Sequence, residues 1–369
     1  MTDSRFLDNG DSAEFYPLNA LKEVQELHFG VRTIAKQWQE VLRDNPHIRI
    51  HSRLMPTHDN AIAVLNLSDG DGLARQGELV ALHGTKAANV QELSADALWL
   101  SDAPHLFELC GLGLAEDLSR LQLAWRLRAL KEEEREAWQA QGVRVHGPMS
   151  SVWLAPGAVL RDVSLNTEQG PIVVGPDAEI MEGCRVRGPF ALGEGSQLRM
   201  GTLVYGPTTV GQGCKIGGEL SNVVVHNWSN KAHGGFLGNA VLGSWCNLGA
   251  ETTCSNLKNT YGVIAEWRED SQSFEPKGRQ FCGLLMGDYS KTAIHTAFST
   301  ATVVGVMANV FGKQTPPRHV PNFQWGVDGD TRIDLDKGLD VAQKVMARRK
   351  QTMSTSEEHA IRALFSREA

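Results

Sequence analysis

Every sixth residue from Val174 is aliphatic: Val174, Ile180, Val186, Leu192, Leu198, Val204, Val210 and Ile216. At 41% hydrophobic content, eight unbroken hits arise by chance in roughly one register per thousand. Four positions after each aliphatic residue stand Ala178, Cys184, Phe190, Ser196, Thr202, Thr208, Cys214 and Leu220, most of them small. Glycine follows the aliphatic residue at Gly175, Gly193, Gly211 and Gly217. A period of six fits neither a helix (3.6) nor an ordinary strand (2). It fits a triangular coil, in which each hexad supplies one short strand and one corner. The aliphatic side chain fills the prism, the small residue fits beside it, and glycine or a polar residue makes the turn. The fold class that follows is mainly β, a left-handed parallel β-helix of hexapeptide repeats.

The repeat extends in both directions with phase slips. Leu154 and Leu160 open it, and 161–173 breaks step. The phase shifts at Asn222 and resumes through Phe236, Leu242 and Leu248; Met286, Thr292, Phe298, Val304 and Val310 continue it. Between these two series, the polar segment 257–280 predicts a loop projecting from the coil, of the kind that often covers a ligand. The β-helix is therefore assigned to 146–315. Residues 1–145 read as a small α/β domain. Val24, Leu27, Val31, Ile34, Trp38 and Val41 have helical spacing, 61–67 and 77–82 alternate like strands, and 115–140 reads as a helix ending in a charged, solvated run. Residues 316–369 predict a helical extension, with a second helix starting at Ser354 on a capping-box pattern with Glu357.

The 369 residues carry a net charge of −7, which gives no electrostatic reason to bind nucleic acid or anionic lipid. No basic stretch followed by an apolar run opens the chain, and no stretch of about 18 apolar residues occurs. The expectation is a cytoplasmic chain with no membrane partner. The six cysteines form no CxxC pair, so neither a zinc site nor a redox motif is expected, and the thiols read as reduced.

The segment 230–259 interrupts the hexads with a histidine flanked by small residues. Acyl transfer from a thioester needs a base to take a proton from the incoming amine or hydroxyl, and a histidine suits that role. By itself His233 reads first as an ordinary surface or core-edge histidine. The segment KAHGGFLGNAVLG followed by NLGAETTCSN resembles the acetyltransferase domain of the bifunctional N-acetylglucosamine-1-phosphate uridyltransferase/glucosamine-1-phosphate acetyltransferase family. That resemblance implies His233 as catalytic base, Lys231, Phe236, Asn247, Asn256 and Lys258 as substrate-binding residues, and Ala250 and Gly305 as contacts to acetyl-CoA or another acyl-CoA. It also implies a homotrimer acting on an amino sugar, sugar phosphate or nucleotide sugar. Phe236 stands where the family has tyrosine, Glu251 replaces a glycine, and the segment after Lys258 is much longer. Over most of the chain, FYPLNALKEVQELHFGVRTIAKQW, SNKAHGGFLGN, WCNLGAETTCSNLKN and QFCGLLMGDYSKTAIHT resemble a shorter branch of these proteins, in which a sugar nucleotidyltransferase-like domain precedes the hexapeptide tail.

The triphosphate loop of sugar-1-phosphate nucleotidyltransferases corresponds here to GDSAEFYPLN, 10–19. Ser12, Ala13 and Glu14 stand in place of glycine, threonine and arginine, and a carboxylate repels a triphosphate. The N-terminal domain therefore reads as degenerate, and magnesium enters only if it turns over. Asp69 and Asp71 could hold such an ion, but Asp-Gly pairs favour turns. Cys184 and Cys214 read as core, and Trp228, Trp245 and Trp267 as packing. Three other readings stay open: nucleotidyl transfer with UTP or dTTP, a zinc-dependent hexapeptide carbonic anhydrase using His226, His233 and His295, and a non-catalytic trimeric scaffold that binds a nucleotide sugar.

Overall fold

The structure, a computed structural model, describes residues 5–7 and 13–368. A three-sided parallel coil dominates it. One face stacks Val159–Leu160, Glu179–Ile180, Gln197–Leu198, Lys215–Ile216 and Asn230–Lys231, and continues through Asn247 to Lys291–Thr292 and Asn309–Val310. We call it the polar face, because its outward residues are Glu179, Gln197, Lys215, Asn230, Asn247, Lys291 and Asn309. A second, open face stacks Arg144–His146, Ser164–Asn166, Arg185–Arg187 and Leu203–Val204. It runs on through the first halves of Glu219–Val225 and Phe236–Leu242. Those two strands bend at Asn222 (φ 58°) and Asn239 (φ 47°), and their second halves enter the third face.

The third face is covered. Its strands are buried on both sides and mostly apolar: Ile172–Val174, Phe190–Leu192, Thr208–Val210, Leu284–Met286 and Thr302–Val304 are buried at every residue, with Thr208, Thr209 and Thr302 the polar members. A strand buried on both faces loses the polar alternation of a half-exposed one. The N-terminal residues provide the cover. Val224, Val241, Leu285 and Val303 pack with Phe15, Leu27, Trp38 and Phe107, and Val173 and Ala191 pack under the helix Cys110–Ala124.

All eight residues of the period-six series lie inside the prism, as do Leu154, Leu160, Met286, Thr292, Phe298, Val304 and Val310. Cys184 and Cys214 are interior as well, and all six cysteines are buried and unbonded. Ser196, Ser229 and Ser290 occupy the small inward slot. Each donates its hydroxyl to one carbonyl and accepts an N–H from the next coil, which keeps the buried polar groups satisfied. The resumed phase is off by one at its start: Phe236 faces outward and Leu237 fills the core.

The N-terminal expectations need correction. The helix over 24–41 is only Ile34–Val41, capped by Thr33. Residues 28–33 turn through Gly30 (φ +75°), whose backbone lies so close to Gly113 that a Cβ on either would collide. Residues 58–65 form a helix capped by Thr57, so 61–67 is not a strand. The helix expected over 115–140 ends at Ala124; a short strand and Arg135–Ala140 follow, and Trp138 plugs the open end of the coil. The four-stranded sheet runs in the order Ile48–Ile50, Glu78–His83, Asp71–Arg75, Asn89–Glu92, and only its last pair is parallel. It therefore lacks the parallel switch point at which α/β sheets bind nucleotides. Of the loop 10–19, residues 10–12 lie outside the described residues. Phe15 and Leu18 are core, and Glu14 pairs with Arg53 (2.8 Å) and Arg268 (3.6 Å). Asp71 accepts from the Ser68 amide at 3.0 Å, a turn role.

The loop over 257–280 folds as a hairpin, Ala265–Arg268 against Ser273–Pro276. It docks on the N-terminal layer, where Arg279 binds Asp102, Glu108 and Glu266. The C-terminal helices Leu335–Ala347 and Thr355–Arg367 cover a corner ladder of Trp228, Trp245, Tyr289, Met307 and Phe323. The first three rings stack, with centroids 5.4 and 6.4 Å apart. Ser354 caps the last helix by accepting from the Glu357 amide, while the Glu357 carboxylate takes the Tyr289 hydroxyl. No helix among the described residues is long and apolar enough to cross a membrane.

Candidate active site at the His233 corner

His233 stands on the vertex between the polar and open faces. Three turns of equal length stack there, 231–236, 248–253 and 292–297. Their register is fixed at one end by Asn230, Asn247 and Lys291, and at the other by Phe236 hydrogen-bonded to Thr253 and by Thr253 paired with Ala297. His233, Ala250 and Ile294 therefore occupy the same position in successive coils, about 4.8 Å apart. The next position holds Gly234, Glu251 and His295, and the His295 amide donates to the Ala250 carbonyl at 2.7 Å.

Gly235 is required by the backbone, and Gly234 makes room for a carboxylate. A Cβ on Gly234 would lie 2.3 Å from the Glu251 carboxylate, and one on Gly235 (φ +101°) 2.1 Å from the Thr252 carbonyl oxygen. The His233 side chain is exposed. Ile294, two coils along the same edge, is 66% exposed. The edge thus presents an imidazole, a methyl and an apolar side chain in a row.

Lys231 is placed otherwise than its substrate-binding assignment requires. The coil between Ile216 and Lys231 is only fifteen residues long, which sets the lysine in an inward slot that elsewhere in the column holds aliphatic residues and Thr292. Its side chain is buried, and Nζ donates to the carbonyls of Gly217 (3.1 Å), His233 (3.0 Å) and Gly234 (3.0 Å). Burial pulls its pKa down to about 8, against the opposing charge of Glu251. Lys231 holds the histidine turn from behind.

The other assigned residues divide between faces. Asn247 points outward on the polar face and is exposed. Asn256 lies off the open face, donating to Asn239 Oδ1 at 2.8 Å, and both its amide and the Phe236 ring crowd Gly238. Lys258 is tied to the Val263 carbonyl at 2.8 Å. Gly305 is on a different corner, buried, with the Asn322 amide group where its Cβ would be; no room for a ligand exists there. His226 is buried, with Nε2 accepting the His28 amide (3.1 Å) and Nδ1 on the Leu242 carbonyl (2.9 Å), so it cannot join His233 and His295 around a metal. Among the described residues no group of three His, Cys, Asp or Glu is placed to hold a metal ion. Trp228 and Trp245 lie in the ladder under the C-terminal helices, and Trp267 stacks on His319 at 3.7 Å.

In the sequence Glu251 stands out only as a departure from the family's glycine. Its carboxylate lies in the space left by the missing Cβ of Gly234, and that pairing of a glycine with an acid one coil later is the signal available in the sequence.

No family model and no curated protein matches the chain. Among solved structures it is similar to the polySia-specific acetyltransferase NeuO, at 10% identity over 52% of this chain and 84% of the other, with a TM-score of 0.29. It is also similar to the Arabidopsis UDP-N-acetylglucosamine acyltransferase, at 15% identity over 59% and 86%, with a TM-score of 0.27. Likenesses this distant carry no weight on substrate or chemistry.

Proposed function

We propose that the chain is an acyltransferase with His233 as general base, using acetyl-CoA or another acyl-CoA and acting on an amino sugar, sugar phosphate or nucleotide sugar. The observation that carries this reading is the stacking of exposed His233 directly under Ala250 and Ile294, on a turn fixed by two glycines and Lys231. A thioester's pantetheine arm lying along Ala250 and Ile294 would bring its carbonyl to the imidazole. His233 would accept the proton of the acceptor amine or hydroxyl as it attacks, and a backbone N–H would hold the oxyanion; collapse of the tetrahedral intermediate would then break the C–S bond, and the departing CoA thiolate would take the proton back from His233.

The reading includes a left-handed coil and a homotrimer. A prism vertex is convex, so His233 needs a second wall to make a cleft. Asn247 and Asn256, on different faces, could serve one substrate only if neighbouring prisms bring those faces together.

The test has two parts. Acyl-CoA should raise the melting temperature of the protein, because a ligand of the folded state alone stabilises it. His233→Ala should lower turnover by about a hundredfold to ten-thousandfold, the usual worth of a general base, with melting temperature and acyl-CoA affinity nearly unchanged. A variant as fast as the parent sinks the mechanism.

A further inference from the structure

We infer a second small-molecule site on the open face, two to four coils from the His233 turn toward the N-terminal end, that takes a phosphoryl group attached to a ring. Strand register builds it. Ser164 pairs with Arg185 and Arg185 with Leu203; two residues on, Asn166 pairs with Arg187 and Arg187 leads to Tyr205 beside it. The outward side chains thus form three rows about 4.8 Å apart and two columns about 7 Å apart. One row offers a hydroxyl and an amide, the middle row two guanidinium groups, and the third an apolar and an aromatic side chain. The rows line a depression of about 240 Å³, with His146 at its edge.

Arg185 and Arg187 are exposed. Among the described residues neither forms an ion pair, although the chain is acidic overall, at −7. On one side Glu168 is engaged by the Asn166 amide at 3.1 Å; on the other Glu219 stands one coil beyond Leu203, two coils from Arg185. Tyr205 is 50% exposed, a large aromatic surface left in water on a flat strand. Two guanidinium forks at this spacing clamp a phosphoryl group from both sides, since each presents paired N–H donors. The Tyr205 ring one row away gives a stacking surface for a ring joined to that phosphate. A sugar phosphate and a nucleotide share this chemistry. The site stands apart from His233 and does not depend on its role.

Calorimetric titration of the full-length protein with glucosamine 1-phosphate, UDP and inorganic pyrophosphate tests the site. The parent should bind at least one of the two ring phosphates, and the tighter of them identifies the ring as sugar or nucleoside. Arg185→Gln with Arg187→Gln should weaken all binding by at least about tenfold, the loss expected for charge-assisted pairs. Tyr205→Ala should weaken the ring phosphate by about tenfold, from lost stacking, and leave pyrophosphate unaffected. His233→Ala should bind as the parent does, which separates this site from the acyltransfer reading. These side chains are exposed, so the melting temperatures should match. Absence of ring-phosphate binding, equal binding by the double arginine variant, or no effect of Tyr205→Ala would each overturn the inference.

Discussion

Lys231→Met tests the interior of the His233 corner through pH. Folding places the Lys231 ammonium in an apolar prism, where its pKa falls to about 8, against about 10.4 in an unfolded chain. At about 1.36 kcal/mol per unit, the charged form is disfavoured in the fold by about 3 kcal/mol. Because the folded value is the lower one, the unfolded chain binds the proton more tightly between about pH 8 and 10.4. The cost is fully present below pH 8, and stability recovers as pH rises through that window. Methionine removes the cost but leaves the carbonyls of Gly217, His233 and Gly234 without their donor, at about 1 kcal/mol each. Near pH 7 the two effects oppose at equal size, so parent and variant should differ by no more than about 1–2 kcal/mol. At pH 10 only the lost hydrogen bonds remain, and the parent should be ahead by about 2–3 kcal/mol. Denaturant melts of both proteins at pH 7, 8, 9 and 10 measure this, and subtraction cancels every other titrating group. Parallel pH profiles would refute the reasoning, because they would mean that Lys231 titrates alike folded and unfolded.

Other consequences can be checked directly. Gly235→Ala puts a Cβ 2.1 Å from a backbone oxygen at φ +101°, so thermal melts should show a loss of several degrees; Gly234→Ala, which meets only the movable end of Glu251, should cost less stability and more activity. Arg279→Ala takes the hydrogen-bonded cation from buried Asp102 and Glu266, leaving Asp102 only the longer 3.7 Å pairing with Lys277, and should destabilise by about 3 kcal/mol, with proteolysis beginning in the hairpin; unchanged protease resistance would contradict the clamp. Burial pushes the Asp102 carboxyl up, but Arg279, with Lys277, holds it below the usual range, so the parent should lose this stabilisation as pH falls through that lowered value, and the Arg279→Ala variant should show a smaller loss. Tyr289→Phe removes the hydroxyl bound to Glu357 and should cost about 1 kcal/mol, read as a lower denaturation midpoint.

Much of the prism was legible in the sequence because its determinant is local. A hexad contains its own strand, inward side chain and corner, so Val174 to Ile216 could be assigned without knowing which coils stack. The same locality marked the His233 turn, where glycines replace the repeat. Three things needed the tertiary structure. Coil length decides which residue points inward, and the shortened coil after Ile216 turned Lys231 from a surface lysine into a buried one while moving Phe236 out. Stacking decides which turns meet, and it brought His233, Ala250 and Ile294 onto one edge while sending Asn247 and Asn256 to different faces. Cover decides what an apolar outward residue means: Val224, Val241 and Leu285 are core only because the N-terminal layer lies over them, and that layer departs from its helical spacing at Gly30 because the turn must press against Gly113. Side-chain period is a property of the chain, but contact between coils and between layers is made across the fold, and only the tertiary structure fixes it.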